Sequence, residues 1–174
     1  MRDFVCNNIN GEIMSEAKTN AMRMLDKLKT PYKSHVYECA EFTDGVQIAQ
    51  LLGQDLKKVY KTLVTVAKSG KYYVFVIPVD REMDLKKCAA SVGEKSLSPI
   101  HVKDIQSVTG YIRGGCSPIG MKKQFRTVIN ESAKELDSII VSGGRLGLQL
   151  EMTPENLIKA CSGEYAHLTV DSTQ

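Results

Sequence analysis

Residues 59–78 read VYKTLVTVAKSGKYYVFVIP, and no other stretch of this chain limits its fold so strongly. Two runs of β-branched and aromatic residues flank the turn Lys68-Ser69-Gly70-Lys71. Such runs favour extended backbone, and a glycine between them allows a tight reversal. The segment therefore predicts a β-hairpin.

Short helices and further strands are predicted around it. Ser15 or Thr19 can cap a helix that buries Ala17, Ala21, Met24, Leu25 and Leu28 and stops at Pro31. A strand follows over Tyr32–Tyr37. Asp44 can cap a helix over Val46–Leu52 that ends at Gly53, and Asp84 one over Leu85–Val92 that ends at Gly93. KSLSPI reads as an edge strand, because Pro99 lacks a donor. A short helix over His101–Val108 ends at Gly110. RTVIN and SIIVS bracket a polar turn and read as paired strands, with LGLQLEM as another. Thr153-Pro154-Glu155 is a strong helix start, and EYAHLTV reads as a closing strand. Hairpins mixed with short helices predict an α+β domain with a mixed sheet rather than regular βαβ units.

Composition bounds the function. A chain of 174 residues, 43% apolar, suits one domain with a proper core. No apolar run approaches the roughly 20 residues of a membrane span. The segment over residues 1–14 is polar, lacks the apolar core of a secretory signal, and reads as a flexible extension to a domain over 15–174. The five cysteines are odd in number, lack C-x-x-C spacing and do not combine with the three histidines as zinc ligands. Reduced thiols in a cytoplasmic protein, with no metal and no cofactor, are expected. A net charge of +3 does not by itself imply a polyanion partner.

Two glycine-rich segments carry the strongest hint of a site: GGCSPIG (114–120) and VSGGRLGLQ (141–149). Glycine lets backbone N–H groups approach and face an anion or a carbonyl. Neither segment matches the dinucleotide or Walker patterns, and each alone reads as a turn. Lys61 lies in an otherwise apolar strand, sharing a face with Val59, Leu63 and Thr65. Two readings stand: a snorkelling edge lysine, or a lysine at a pocket mouth that bonds a carbonyl or phosphate oxygen. Cys116 has no histidine near it in sequence, and there is no G-x-S-x-G or H-E-x-x-H. An enzyme built on this chain has no evident nucleophile of its own.

Taken together, KTL at 61–63, GGxSPxG at 114–120, Lys122-Lys123, TVIN at 127–130 and VSGGxxGL at 141–148 resemble the YbaK/EbsC family. These are single-domain relatives of the editing domain inserted in bacterial prolyl-tRNA synthetase, and the likeness, over roughly residues 18–171, is best to the Cys-tRNA(Pro) deacylase branch. The resemblance implies a mixed, partly barrel-like sheet flanked by helices. It implies trans-editing in which cysteine is removed from mischarged tRNA(Pro), and conceivably from tRNA(Cys), with the substrate's own thiol attacking its ester. Aminoacyl-tRNA is then the substrate and prolyl-tRNA synthetase a partner. Deacylation of another mischarged tRNA such as Ala-tRNA(Pro), or nucleotide or aminoacyl-tRNA binding without turnover, are the alternatives. Among residues, the resemblance implies catalytic roles for Lys61, Gly114, Gly115 and Ser142. It implies substrate contacts for Tyr37, Phe42, Cys116, Ser117, Pro118, Gly143, Gly144, Arg145 and Gln149. Gln149 stands where some relatives carry an acid.

Overall fold

The computed structural model describes residues 17–39, 41 and 43–171. The extension predicted over 1–14, the alternative cap Ser15 and the aromatic wall residue Phe42 lie outside the described residues.

The hairpin forms as its composition demands. Strand β2 (Tyr60–Ala67) pairs antiparallel with β3 (Tyr72–Pro78), from Tyr60↔Pro78 to Val66↔Tyr72. Gly70 takes φ 86° at the turn. It forms the middle of a five-stranded sheet in the order β4-β2-β3-β5-β8. Here β4 is Leu97–Pro99, β5 Arg126–Asn130 and β8 Glu164–Ala166. The proline-bearing β4 is an edge, as expected. A second sheet orders β1 (Lys33–Val36), β7 (Leu148–Met152) and β6 (Ile139–Ser142). A parallel bridge, Val59↔Ile140, joins the sheets, and Ile140 N donates to Lys58 O at 2.8 Å. β1, β4, β6 and β8 are outer strands, so the arrangement is not a closed barrel.

The expected pairing of RTVIN with SIIVS does not form. β5 lies parallel between β3 and β8, leaving no free edge for β6. A 3-10 turn, Glu131–Glu135, carries the chain to the other sheet, where β6 pairs with β7. The closing strand is also shorter than EYAHLTV, ending at Ala166.

Helix boundaries follow their capping residues. The Thr19 hydroxyl accepts from Met22 N at the start of α1 (Asn20–Lys27). Asp44 caps α2 (Gly45–Leu51), and Asp84 accepts from both Lys86 N and Lys87 N at α3 (Leu85–Val92). The helix expected over 101–108 divides into a 3-10 turn, Val102–Asp104, and α4 (Ile105–Thr109). Thr153 caps α5 (Pro154–Cys161). Ala21 and Leu25 are buried, whereas Ala17 precedes α1 and is exposed, as is Leu28.

β3 is buried along almost its whole length because both faces are covered. Tyr60, Val76 and Ile129 pack with α1 and α5 residues and with the second sheet. Phe75, Ile77 and Val128 pack with Cys88, Ala89 and Val92 of α3. Ala49 of α2 joins Val59, Val79 and Ile140 beside the bridge. Among the described residues no helix is long and apolar enough to cross a membrane.

Candidate active site

The two sheets part beyond the Val59–Ile140 bridge. β4 does not meet β2 until Thr65↔Pro99, although Ile100 N already donates to Val64 O at 3.1 Å. The first half of β2 thus has an open edge. In this ladder Val59 O and Ala67 N bond toward β3, as Val79 N→Val59 O and Ala67 N→Lys71 O attest. Antiparallel alternation then turns the N–H and C=O of Thr62 the other way, toward the gap. A cavity of about 420 Å³ fills this gap.

Its lining brings together Lys61 from β2, Gly114 and Cys116 from the first glycine loop, Ser142 from β6, Gln149 from β7, and Tyr37. Gly115, Ser117, Pro118, Gly143, Gly144 and Arg145 are not among the lining residues. They build the wall from behind. A Cβ on Gly115 would lie 2.8 Å from Arg145 Cα, so the two glycine loops meet backbone to backbone. The Ser117 side chain is fully buried, its hydroxyl accepting from Ile119 N at 3.3 Å. Thr19 donates to Gly143 O at 2.6 Å, fastening the second loop to the start of α1. Gly144, at φ 103°, leaves room for Tyr111 and Thr19, which a Cβ would meet at 2.9 and 3.1 Å. Arg145 donates to Ala17 O at 3.1 Å.

Sequence reasoning missed three residues here. Arg113 lines the cavity just ahead of the first loop, where a cation beside glycines was a readable signal. Strand alternation puts Thr62 on the face opposite Lys61, yet both line the cavity because it opens along the strand edge. The Thr62 hydroxyl is buried with no hydrogen-bond partner among the described residues. Gln54 donates to Gln149 Oε1 at 2.7 Å, a contact no local pattern announces.

The electrostatic character is cationic. Among the described lining residues the charged groups are Lys61, Arg113 and one carboxylate, Asp44, which accepts from Val46 N at 2.7 Å to cap α2. Burial pushes the Cys116 thiol up to about 11 against a hydrogen bond with Thr109, so it is a thiol rather than a thiolate at neutral pH. Burial likewise raises the Tyr37 phenol and keeps it protonated. No histidine lines the cavity: His35 bonds Glu151 at 2.8 Å, and His167 pairs with Asp171 at 2.9 Å elsewhere. The cavity therefore offers donors, positive charge and rigid backbone, without a paired base and nucleophile among the described residues. A larger cavity of about 920 Å³ includes Arg81, Glu131, Lys134, His167 and Asp171. It contains none of the sequence-predicted site residues, and its mixed charges are partly consumed in ion pairs.

The profile of the family described as "Aminoacyl-tRNA editing domain" matches residues 41–160, and the chain belongs to that family. An Enterococcus faecalis protein, by its name a candidate Cys-tRNA(Pro)/Cys-tRNA(Cys) deacylase, EbsC, is 44% identical over 156 residues, covering 89% of this chain and 95% of that protein. A proline–tRNA ligase of Thermosipho africanus is 28% identical over 128 residues, which span 74% of this chain and 21% of the ligase. A crystal structure described as a candidate trans-editing enzyme for prolyl-tRNA synthetase shares the fold, with a TM-score of 0.76, 22% identity and coverage of 90% of this chain and 100% of its own.

Proposed function

We propose that this chain is a trans-editing deacylase that releases cysteine from mischarged Cys-tRNA(Pro), and also acts on Cys-tRNA(Cys). One observation carries the reading: among the described residues the cavity holds cations and donors but no activated nucleophile. An aminoacyl ester bearing its own thiol supplies what the protein lacks. The substrate sulfur gives up its proton and attacks the ester carbonyl carbon. The carbon–oxygen bond to the ribose then breaks, the ribose oxygen takes a proton, and cysteine departs as a cyclic thiolactone. Lys61 and the backbone of the Gly114 loop stabilise the oxygen on which negative charge develops. Enclosure in about 420 Å³ holds sulfur and carbonyl close.

The name of the E. faecalis relative supports the cysteine assignment, and the ligase likeness supports prolyl-tRNA synthetase as the partner that selects tRNA. A net charge of +3 is small for holding tRNA unaided. The test is release of labelled amino acid from Cys-, Ser- and Ala-tRNA(Pro), with and without the synthetase. Cysteine is expected to leave fastest. Serine, equal in shape but without the thiol, should resist release. Rapid release of serine would replace the thiol mechanism with attack by water, and preference for alanine would replace the substrate.

A further inference from the structure

Gln149 of β7 stands directly across from Ser142 of β6, and both line the cavity. Gln149 is only 7% exposed. Its Oε1 accepts from Gln54 Nε2 at 2.7 Å. Gln54 itself is set by local structure: the chain turns after α2 through Gly53, at φ 63°, and Gln54 N closes back onto Ala49 O at 2.8 Å. Beyond the contact, Gln54 Oε1 is buried with no partner among the described residues.

A carboxamide has one acceptor end and one donor end. With its oxygen occupied by Gln54, Gln149 keeps its NH₂ group for the cavity. Turning both amides over would preserve their mutual bond, but it would aim the Gln149 oxygen at the cavity. It would also put two N–H donors where the orphaned Gln54 oxygen now lies. Buried orphan donors are rarer in proteins than under-satisfied carbonyl oxygens. The observed orientation is therefore the favoured one.

We infer that Gln54 is a positioning residue that fixes Gln149 donor-first, so that this wall selects an acceptor atom of the aminoacyl ester; the inference rests on the deacylase reading above. The acceptor is the ester carbonyl oxygen or the substrate sulfur. A wall presented acceptor-first would favour the substrate's α-ammonium instead. The contact is to an atom whose charge changes during the reaction, so its loss is read in kcat/KM rather than in KM alone.

The test compares Gln54→Lys, which keeps a donor, Gln54→Met, which removes it, and Gln54→Glu, which offers only acceptors and turns Gln149 around. Each is made with Gln149 intact and with Gln149→Met. Deacylation of Cys-tRNA(Pro) is measured at several substrate concentrations, with thermal melting as a folding control. With Gln149 intact, Gln54→Lys should stay within about 3-fold of the native kcat/KM. Gln54→Met should lower kcat/KM by roughly 5–10-fold, and Gln54→Glu should lower it further. In the Gln149→Met background the Gln54 variants should agree within about 2-fold, since the coupling is gone. Equal effects of Lys and Glu, or unchanged effects in the Gln149→Met background, would overturn the inference. If the native protein releases no cysteine, the deacylase reading fails. The same variants are then compared by titration with 3′-deoxy-3′-cysteinylamino-adenosine, whose Kd should show the same order and the same loss of coupling.

Discussion

Replacing Gly115 by alanine tests whether the two glycine loops hold each other in place. The new Cβ would lie 2.8 Å from Arg145 Cα, 2.9 Å from Arg145 C and 3.2 Å from Arg145 N, where ordinary contact begins at 3.4 Å. The obstacle is backbone, so no side-chain rotation relieves it. The second loop is also tied by Thr19 to Gly143 O at 2.6 Å and by Gly143 N to Leu148 O at 2.9 Å. The loops must part by about half an ångström, and overpacking of this kind costs roughly 1–3 kcal/mol. In a chain of this size each kcal/mol lowers Tm by about 2–4 °C. Gly114 and Cys116, on either side of the substitution, line the cavity, so the same displacement should slow deacylation by about 10-fold or more. Gly115 is not in the left-handed region, so sterics alone are tested. Gly70→Ala is the complementary control: φ is 86° and a Cβ would meet nothing within 4 Å. It should cost about 1–2 kcal/mol in backbone strain and leave turnover unchanged. Urea unfolding and Cys-tRNA(Pro) deacylation on the same samples decide the matter. A Gly115→Ala protein of native stability and full activity would refute the reasoning.

Four further outcomes are expected. Lys61→Ala should abolish most deacylation with little change in unfolding midpoint, because Lys61 is a cavity-lining side chain; near-native turnover of the folded variant would remove it from the mechanism. Thr62→Val should leave stability unchanged or raised, since the hydroxyl is buried without a partner, while raising KM; a loss of more than about 1 kcal/mol would mean the hydroxyl is satisfied after all. Cys116→Ala should keep kcat/KM within about 3-fold, because a thiol raised to about 11 is no nucleophile at pH 7, and a loss beyond about 100-fold would say otherwise. Burial works to raise Glu151, but Ser138 and His35 outweigh it and hold the carboxyl below its ordinary 4.5. A depressed carboxylate stabilises fully above the unfolded value and loses that contribution as pH falls through the folded one. Glu151→Gln should thus be less stable at pH 7 yet lose less on acidification below about 4.5, and identical pH slopes in urea unfolding would contradict this.

The fold was legible where chemistry is local. The hairpin, the capped helix starts at Thr19, Asp44, Asp84 and Thr153, and the glycine stops at Gly93 and Gly110 all depend on neighbours in sequence. Strand pairing was legible only where a tight turn enforced it. The polar turn after RTVIN resembles a hairpin turn, but β5 is claimed on both sides by partners distant in sequence. For the site, motif residues identified the right region without saying which side chains face the cavity. Gly115 is a glycine of the first motif because a Cβ there would strike the backbone of Arg145 in the second loop. Thr62 escaped notice because strand alternation assumes a covered edge, and Gln54 because its partner is 95 residues away.

The clasp between Thr19 and Gly143 spans 124 positions of the chain. During synthesis the first helix therefore leaves the ribosome long before the loop it will grip. The wall of the cavity is completed only when β6 and β7 have emerged. Until then the Thr19 hydroxyl has its helix-capping role alone, and a nascent fragment lacking those strands has nothing with which to enclose an ester.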